Sequence, residues 1–156
     1  MQDTSMKKSF ETTLMKILVE EISHTGSAFA TTEEGEGVFL SRNDGKSWES
    51  VSDELSENNV YAVALHPKTA SRMAAGGWDA GVWMSDDTGK TWVDRSAGLP
   101  SKNVTAMAYD PTRKDRLWVS TFEEGTYFSD DSGATWKDGN LYGAYVLDMD
   151  VIPVSD

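Results

Sequence analysis

One octapeptide recurs three times at a single interval: SRNDGKSW at Ser41–Trp48, SDDTGKTW at Ser85–Trp92 and SDDSGATW at Ser129–Trp136. The leading serines stand 44 residues apart both times (85 − 41 and 129 − 85). A fixed period constrains the fold more than any single motif, because each copy must be one small unit that buries its apolar face on the next. The register extends past the octapeptide. Asn59–Pro67 (NVYAVALHP) matches Asn103–Pro111 (NVTAMAYDP), and Arg72–Ser85 (RMAAGGWDAGVWMS) matches Arg116–Ser129 (RLWVSTFEEGTYFS). Ser27–Ser41 is the same block with a less regular start, and Tyr145–Pro153 (YVLDMDVIP) resembles the opening of a further unit.

Each unit reads as short strands. Val60, Ala62 and Ala64 alternate with Tyr61, Val63 and Leu65, placing apolar residues on both faces, as in a strand covered on two sides. Pro67 and Pro111 end these strands. MAAGG and LWVST form second strands, GVWMS and GTYFS third, TWVDRS and TWKDG fourth. The Asp-x-Gly turn between third and fourth is expected to close a tight hairpin, with Gly89 or Gly133 supplying positive φ. Four strands in roughly 40–45 residues is the pattern of a β-propeller blade. The expected fold class is therefore all-β: a propeller segment of about three four-stranded blades plus the first strand of a fourth. Residues 1–15 read as a tail, 16–143 as the blades and 144–156 as the further strand. The first unit has two readings at its start. Phe10, Leu14, Ile17 and Leu18 have helical spacing over 9–22, whereas alignment with later units makes KILVEEIS (Lys16–Ser23) a strand, which we favour.

Composition narrows the function classes. The 156 residues carry 14 Lys+Arg against 26 Asp+Glu, a net charge of −12, which disfavours nucleic acid or an anionic membrane as partner. Cysteine is absent, so disulfides, thiolate chemistry and Cys-ligated zinc are excluded, without choosing a compartment. Only His24 and His66 are available, too few for a histidine-built metal site or a Ser-His-Asp triad. No metal and no cofactor is expected. Glu11, Lys16, Glu20 and Glu21 interrupt the apolar N-terminal patch, which therefore lacks the form of a signal peptide, and no stretch has the length of a membrane span.

The octapeptide resembles the Asp-box, or bacterial neuraminidase repeat, S-x-D-x-G-x-[ST]-W. That repeat occurs in sialidases, sortilin-type receptors, photosystem assembly factors and xyloglucan-active glycosidases. Ser85, Asp87, Gly89 and Trp92 fit it at every defined position, as do Ser129, Asp131, Gly133 and Trp136. Ser41, Asn43, Gly45 and Trp48 depart once, at Asn43. The resemblance covers roughly 16–153 and implies a propeller whose relatives are often extracytoplasmic. It implies no particular activity, since enzymes and non-enzymes share the box. Physically the box is a staple: its Asp accepts backbone N–H bonds of its own turn, its Ser adds a hydroxyl, and its Trp supplies buried area.

Candidate recognition residues fall on the opposite face, where second-to-third turns and blade connections gather. Trp78 and Phe122 are 44 apart, as are Asp79 and Glu123, with Glu124 adjoining; Glu33, Glu34 and Glu36 belong to the same face of the first unit. An aromatic beside a carboxylate at equivalent turns suits a sugar ring or a basic peptide. Glycoside hydrolysis needs two carboxyls about 5–9.5 Å apart, and only Asp79 with Glu123 or Glu124 qualifies as a weak catalytic candidate. The Arg-Ile-Pro motif implied by a sialidase is missing, and the xyloglucanase-type catalytic positions do not map onto the chain. The reading is a non-enzymatic module for a protein, peptide or glycan, with a fragment of a propeller glycoside hydrolase as the alternative. Three blades leave two end faces uncovered, so a homodimeric ring or a longer propeller chain is expected.

Overall fold

The computed structural model describes residues 28–31, 37–51, 53–55 and 58–153. Both readings of 9–22, together with His24, Glu33, Glu34 and Glu36, lie outside the described residues. The described chain forms three antiparallel sheets and no α-helix. The first contains β1 (Ala28–Thr31), β2 (Val38–Ser41) and β3 (Glu49–Ser50). The second contains β4 (Asn59–Leu65), β5 (Met73–Trp78), β6 (Gly81–Ser85) and β7 (Val93–Asp94). The third contains β8 (Val104–Tyr109), β9 (Leu117–Thr121), β10 (Gly125–Ser129) and β11 (Lys137–Asp138). Each is an up-and-down meander in chain order, which is the blade of a propeller.

The core lies between blades rather than within them. Strand β5 shows why, because its side chains alternate between two neighbours. Met73 and Ala75 join Phe29, Val38, Leu40, Leu55, Val60 and Trp92 between the first and second sheets. Ala74 faces the other way, joining Val82, Val104, Met107, Leu117 and Val119 between the second and third. Small residues in β5 permit this approach: a Cβ on Gly76 would stand 2.7 Å from the Met107 terminal methyl and 3.1 Å from Val104.

The structure departs from the sequence reading in four places. The fourth strands contain two residues each, Val93–Asp94 and Lys137–Asp138, because their exposed residues have no second face to bury. The box is no tight hairpin; Met84↔Val93 is the last ladder pair, so Ser85–Trp92 forms an eight-residue loop. Strict alternation in the inner strands fails at a bulge between Val60 and Ala62, repeated between Val104 and Ala106. Segment 144–153, read from the sequence as the first strand of a further blade, forms no strand ladder among the described residues.

The box loop is tied internally. Ser85 Oγ accepts from Gly89 N at 2.8 Å and donates to Asp87 Oδ1 at 2.8 Å. Asp87 also accepts from Thr91 N at 2.9 Å and from Thr91 Oγ1 at 2.7 Å. Ser129, Asp131, Gly133 and Thr135 repeat the set within 0.1 Å. In the first box Asn43 Oδ1 accepts from Ser47 N at 2.9 Å, while its amide donates to Ser47 Oγ where the Asp boxes accept. Gly45, Gly89 and Gly133 all adopt positive φ, which admits the reversal. The tryptophans are buried unequally: Trp92 fully, Trp48 and Trp136 by half.

The hydrogen bonds from Thr135 and Ser129 hold the Asp131 carboxyl down to about 2, against an ordinary 3.8. A depressed pKa means stabilisation that is complete above the unfolded value and lost as pH falls through the folded one. Asp131→Ala is therefore expected to cost about 0.5–1.5 kcal/mol at neutral pH, the exposed site letting water replace part of the loss. Asp131→Asn, which recreates the Asn43 arrangement, should cost less. It should also flatten the loss of stability between about pH 4 and pH 2 in urea titrations.

Candidate functional site

Tyr61–Val63 of β4, Thr105–Met107 of β8 and Leu147–Asp150 line one cleft of ≈ 280 Å³. The first two sets are 44 residues apart (105 − 61), and Leu147 follows Thr105 by 42 (147 − 105). Since β4 and β8 are the first strands of neighbouring blades, the cleft lies between the strands that line the channel side in a propeller. The repeated bulge falls at Tyr61 and Thr105, where an extra residue re-aims its side chain away from the regular pleat. Sequence reasoning missed these two positions. The available signal was a polar or aromatic residue recurring at one register inside an otherwise apolar strand.

Beside this cleft lie the two turns singled out from sequence. Trp78 ends β5 and Asp79 follows it in the left-handed region at φ 58°; Glu123 occupies the same conformation at φ 61°. Asn103 holds both turns: its side-chain oxygen accepts from Asp79 N at 2.9 Å and its carbonyl from Phe122 N at 2.8 Å. One residue thus fixes the spacing of turns from two blades. The structure brings Trp78 and Phe122 together edge to face, centroids 5.0 Å apart at 76°. It adds a ring that the sequence did not reveal. Tyr145 packs on the other side of Phe122 at 4.7 Å and 86°, and its hydroxyl donates to Glu123 Oε1 at 2.9 Å. That bond raises the Tyr145 pKa above its ordinary value. Trp78 remains 40% exposed, an indole edge open beside the channel.

Asp79, Glu123 and Glu124 are exposed, and none of the ion pairs among the described residues involves them. The box face is different, because Arg72 and Arg116 on it are paired with its own acids. Arg72 bonds Asp86 and Asp115, each at 2.5 Å, and Arg116 bonds Asp130 at 2.6 Å while lying 4.4 Å over the Phe128 ring. His66 is buried against Tyr109 and 3.4 Å from Asp115; burial lowers its pKa. Among the described residues no group of His, Asp and Glu is placed to hold a metal ion, and no helix is long and apolar enough to cross a membrane. What remains is an aromatic array beside exposed carboxylates that no cation pairs among the described residues, an arrangement for contact. If Phe122 bridges the array, Phe122→Leu should move the Trp78 indole and Tyr145 ring NMR signals toward their random-coil positions. Melting should change little, because the array lies at the surface.

Comparison with known proteins agrees with this architecture. The sortilin Vps10 family, described as "Sortilin, neurotensin receptor 3", matches residues 36–145. A GH74 xyloglucanase from Xanthomonas campestris superposes with a TM-score of 0.59 and 20% identity, over 75% of this chain and 22% of its own. A Niastella koreensis GH74 enzyme gives 0.56 and 26%, over 74% and 20%. YCF48 bound to D1 peptide gives 0.54 and 17%, over 71% and 36%. The chain thus spans between a fifth and just over a third of these structures. No curated protein matches it at the significance required.

Proposed function

The chain belongs to the sortilin Vps10 family, and on that premise we propose that it is a recognition module that takes an extended peptide segment of a protein partner at the cleft. The observation that supports this most is the edge-to-face series Trp78–Phe122–Tyr145, its first two rings at equivalent turns of neighbouring blades, flanked by Asp79, Glu123 and Glu124. Aromatic rings supply contact area at small entropic cost, and the carboxylates, outside every ion pair among the described residues, give direction to a cationic ligand. The cleft between Tyr61, Thr105 and Leu147 is wide enough for side chains of such a segment. The family's description names a neurotensin receptor, and the solved YCF48 structure is bound to a D1 peptide. With a net charge of −12, the preferred peptide is basic.

The GH74 neighbours supply a second reading, a piece of a propeller glycoside hydrolase. It is weakened by Glu123, whose carboxylate is already engaged by the Tyr145 hydroxyl rather than facing Asp79 or Glu124 as one of a catalytic pair. The two readings separate on an array of Lys/Arg-rich, aromatic-bearing peptides run beside chromogenic glycosides. Peptide capture is expected, strongest at low salt because the carboxylates act over about 8–10 Å. Trp78→Ala should weaken capture roughly tenfold or more with melting nearly unchanged. Glycoside turnover without peptide capture would favour the hydrolase, and glycan capture without turnover would change the ligand class.

A further inference from the structure

The turn between the first and second strands of a blade is closed by the side chain that begins it. In the third blade this is Asp110, whose Oδ1 accepts from Thr112 N at 2.8 Å, Thr112 Oγ1 at 2.6 Å and Arg113 N at 3.1 Å. The equivalent residue of the second blade, 44 earlier (110 − 66), is His66, whose Nδ1 accepts from Lys68 N at 3.2 Å. An aspartate is therefore enough to close such a turn. The imidazole does something further: it reaches the next blade. Its ring packs edge to face on Tyr109 of β8, centroids 5.0 Å apart at 66°, and its Nε2 lies 3.4 Å from Asp115 Oδ1 in the turn after β8. It does so with 7% of the residue exposed.

The bond from Lys68 fixes the tautomer. Since Nδ1 accepts, the neutral ring carries its proton on Nε2, facing the Asp115 carboxylate. A second proton must go to Nδ1, where it meets the Lys68 N–H. The charges around the ring divide between the two blades. Within the second blade Arg72 and Lys68 oppose the proton, and Arg72 is also bound to Asp86 of the box loop at 2.5 Å. From the third blade Asp115 favours it, while Tyr109 stays neutral because burial pushes its hydroxyl above the ordinary value. Asp115 is already held by Arg72 at 2.5 Å, a shorter contact than the one to His66. Burial, first, and then Arg72 outweigh its attraction and hold the imidazole below the ordinary 6.5.

We propose that His66 is a pH-sensitive latch between the second and third blades, closed while the imidazole is neutral and released when mildly acid solution protonates it. On release the turn over 66–72 loses its cap and the ring leaves Tyr109 and Asp115. The joint on the box face is then left to Arg72, which reaches Asp115 and Ser132 Oγ, and to the Trp136 bond. The latch is independent of the peptide reading, which concerns the opposite face. Its sign follows from linkage. With the folded value below the unfolded one, the unfolded chain takes up the proton first, so stability falls as pH drops from about 6.5 toward the folded midpoint.

NMR on the whole chain follows the ring directly. The His66 nitrogen shifts should show the Nε2-protonated neutral form at neutral pH and a midpoint below 6.5. With that same midpoint, Overhauser contacts between the His66 and Tyr109 rings should fade and the Lys68 amide should lose its protection from exchange. Urea titrations supply a second readout. The unfolding constant should rise by up to about tenfold per pH unit between 6.5 and the folded midpoint. His66→Asn offers an oxygen to Lys68 N but does not titrate, so this slope should be lost from it while every other group contributes equally. An imidazole that titrates at or above 6.5, stays uncharged down to about pH 5, or charges with its Tyr109 contacts intact would overturn the proposal. So would an unchanged slope in His66→Asn.

Discussion

The indole N–H of a box tryptophan reaches a carbonyl of the blade before it, Trp92 on Val51 (shared with Gly89 of its own box) and Trp136 on Arg95. Blades of three or four short strands bury little within themselves, so the fold depends on this join and on the apolar contact beneath it. Everything in the box serves to present that indole. Ser and Asp close the loop on itself, and glycine at positive φ lets the loop lie flat on its neighbour. The first box, with Asn43 in place of Asp, keeps the same geometry by reversing one hydrogen bond.

Committing one face to this join leaves the other free to vary. On the box face two charged groups are closed on themselves, Arg72–Asp86–Asp115 and Arg116–Asp130–Lys137. On the opposite face the carboxylates of Asp79, Glu123 and Glu124 have no cationic partner, and the aromatic series stands beside the channel. A rigid stack holding an adaptable rim is the usual division between scaffold and contact surface. The bulges at Tyr61 and Thr105 belong to this rim, since they break a ladder in order to aim a side chain.

Much of this was legible in the sequence because the period placed Trp78 over Phe122 and each box over the last, whatever the intervening residues were. The meander and its strand order followed from alternation and turn residues. What could not be read has physical causes. The bulge was hidden because β4 carries apolar residues in both phases, so one extra residue leaves the pattern intact. The outer strands shrank to two residues because exposed positions do not enforce a ladder. Tyr145 escaped notice because it opens a further unit, a different repeat position from Trp78 and Phe122, so the period does not place it beside them. The acceptors of the indole bonds were invisible in principle: Val51 and Arg95 share no side-chain chemistry, and the join uses only their backbone.

The account rests on the inter-blade indole bond, and its protons can be watched individually. Hydrogen exchange of the tryptophan Nε1–H signals, followed by NMR, compares the three boxes in one experiment. Slow exchange is predicted at Trp92 and Trp136, with rapid exchange at Trp48, whose N–H has no acceptor among the described residues. Equal rates at all three tryptophans would contradict the account, since the box would then protect its indole by itself and the blades would be held by something else.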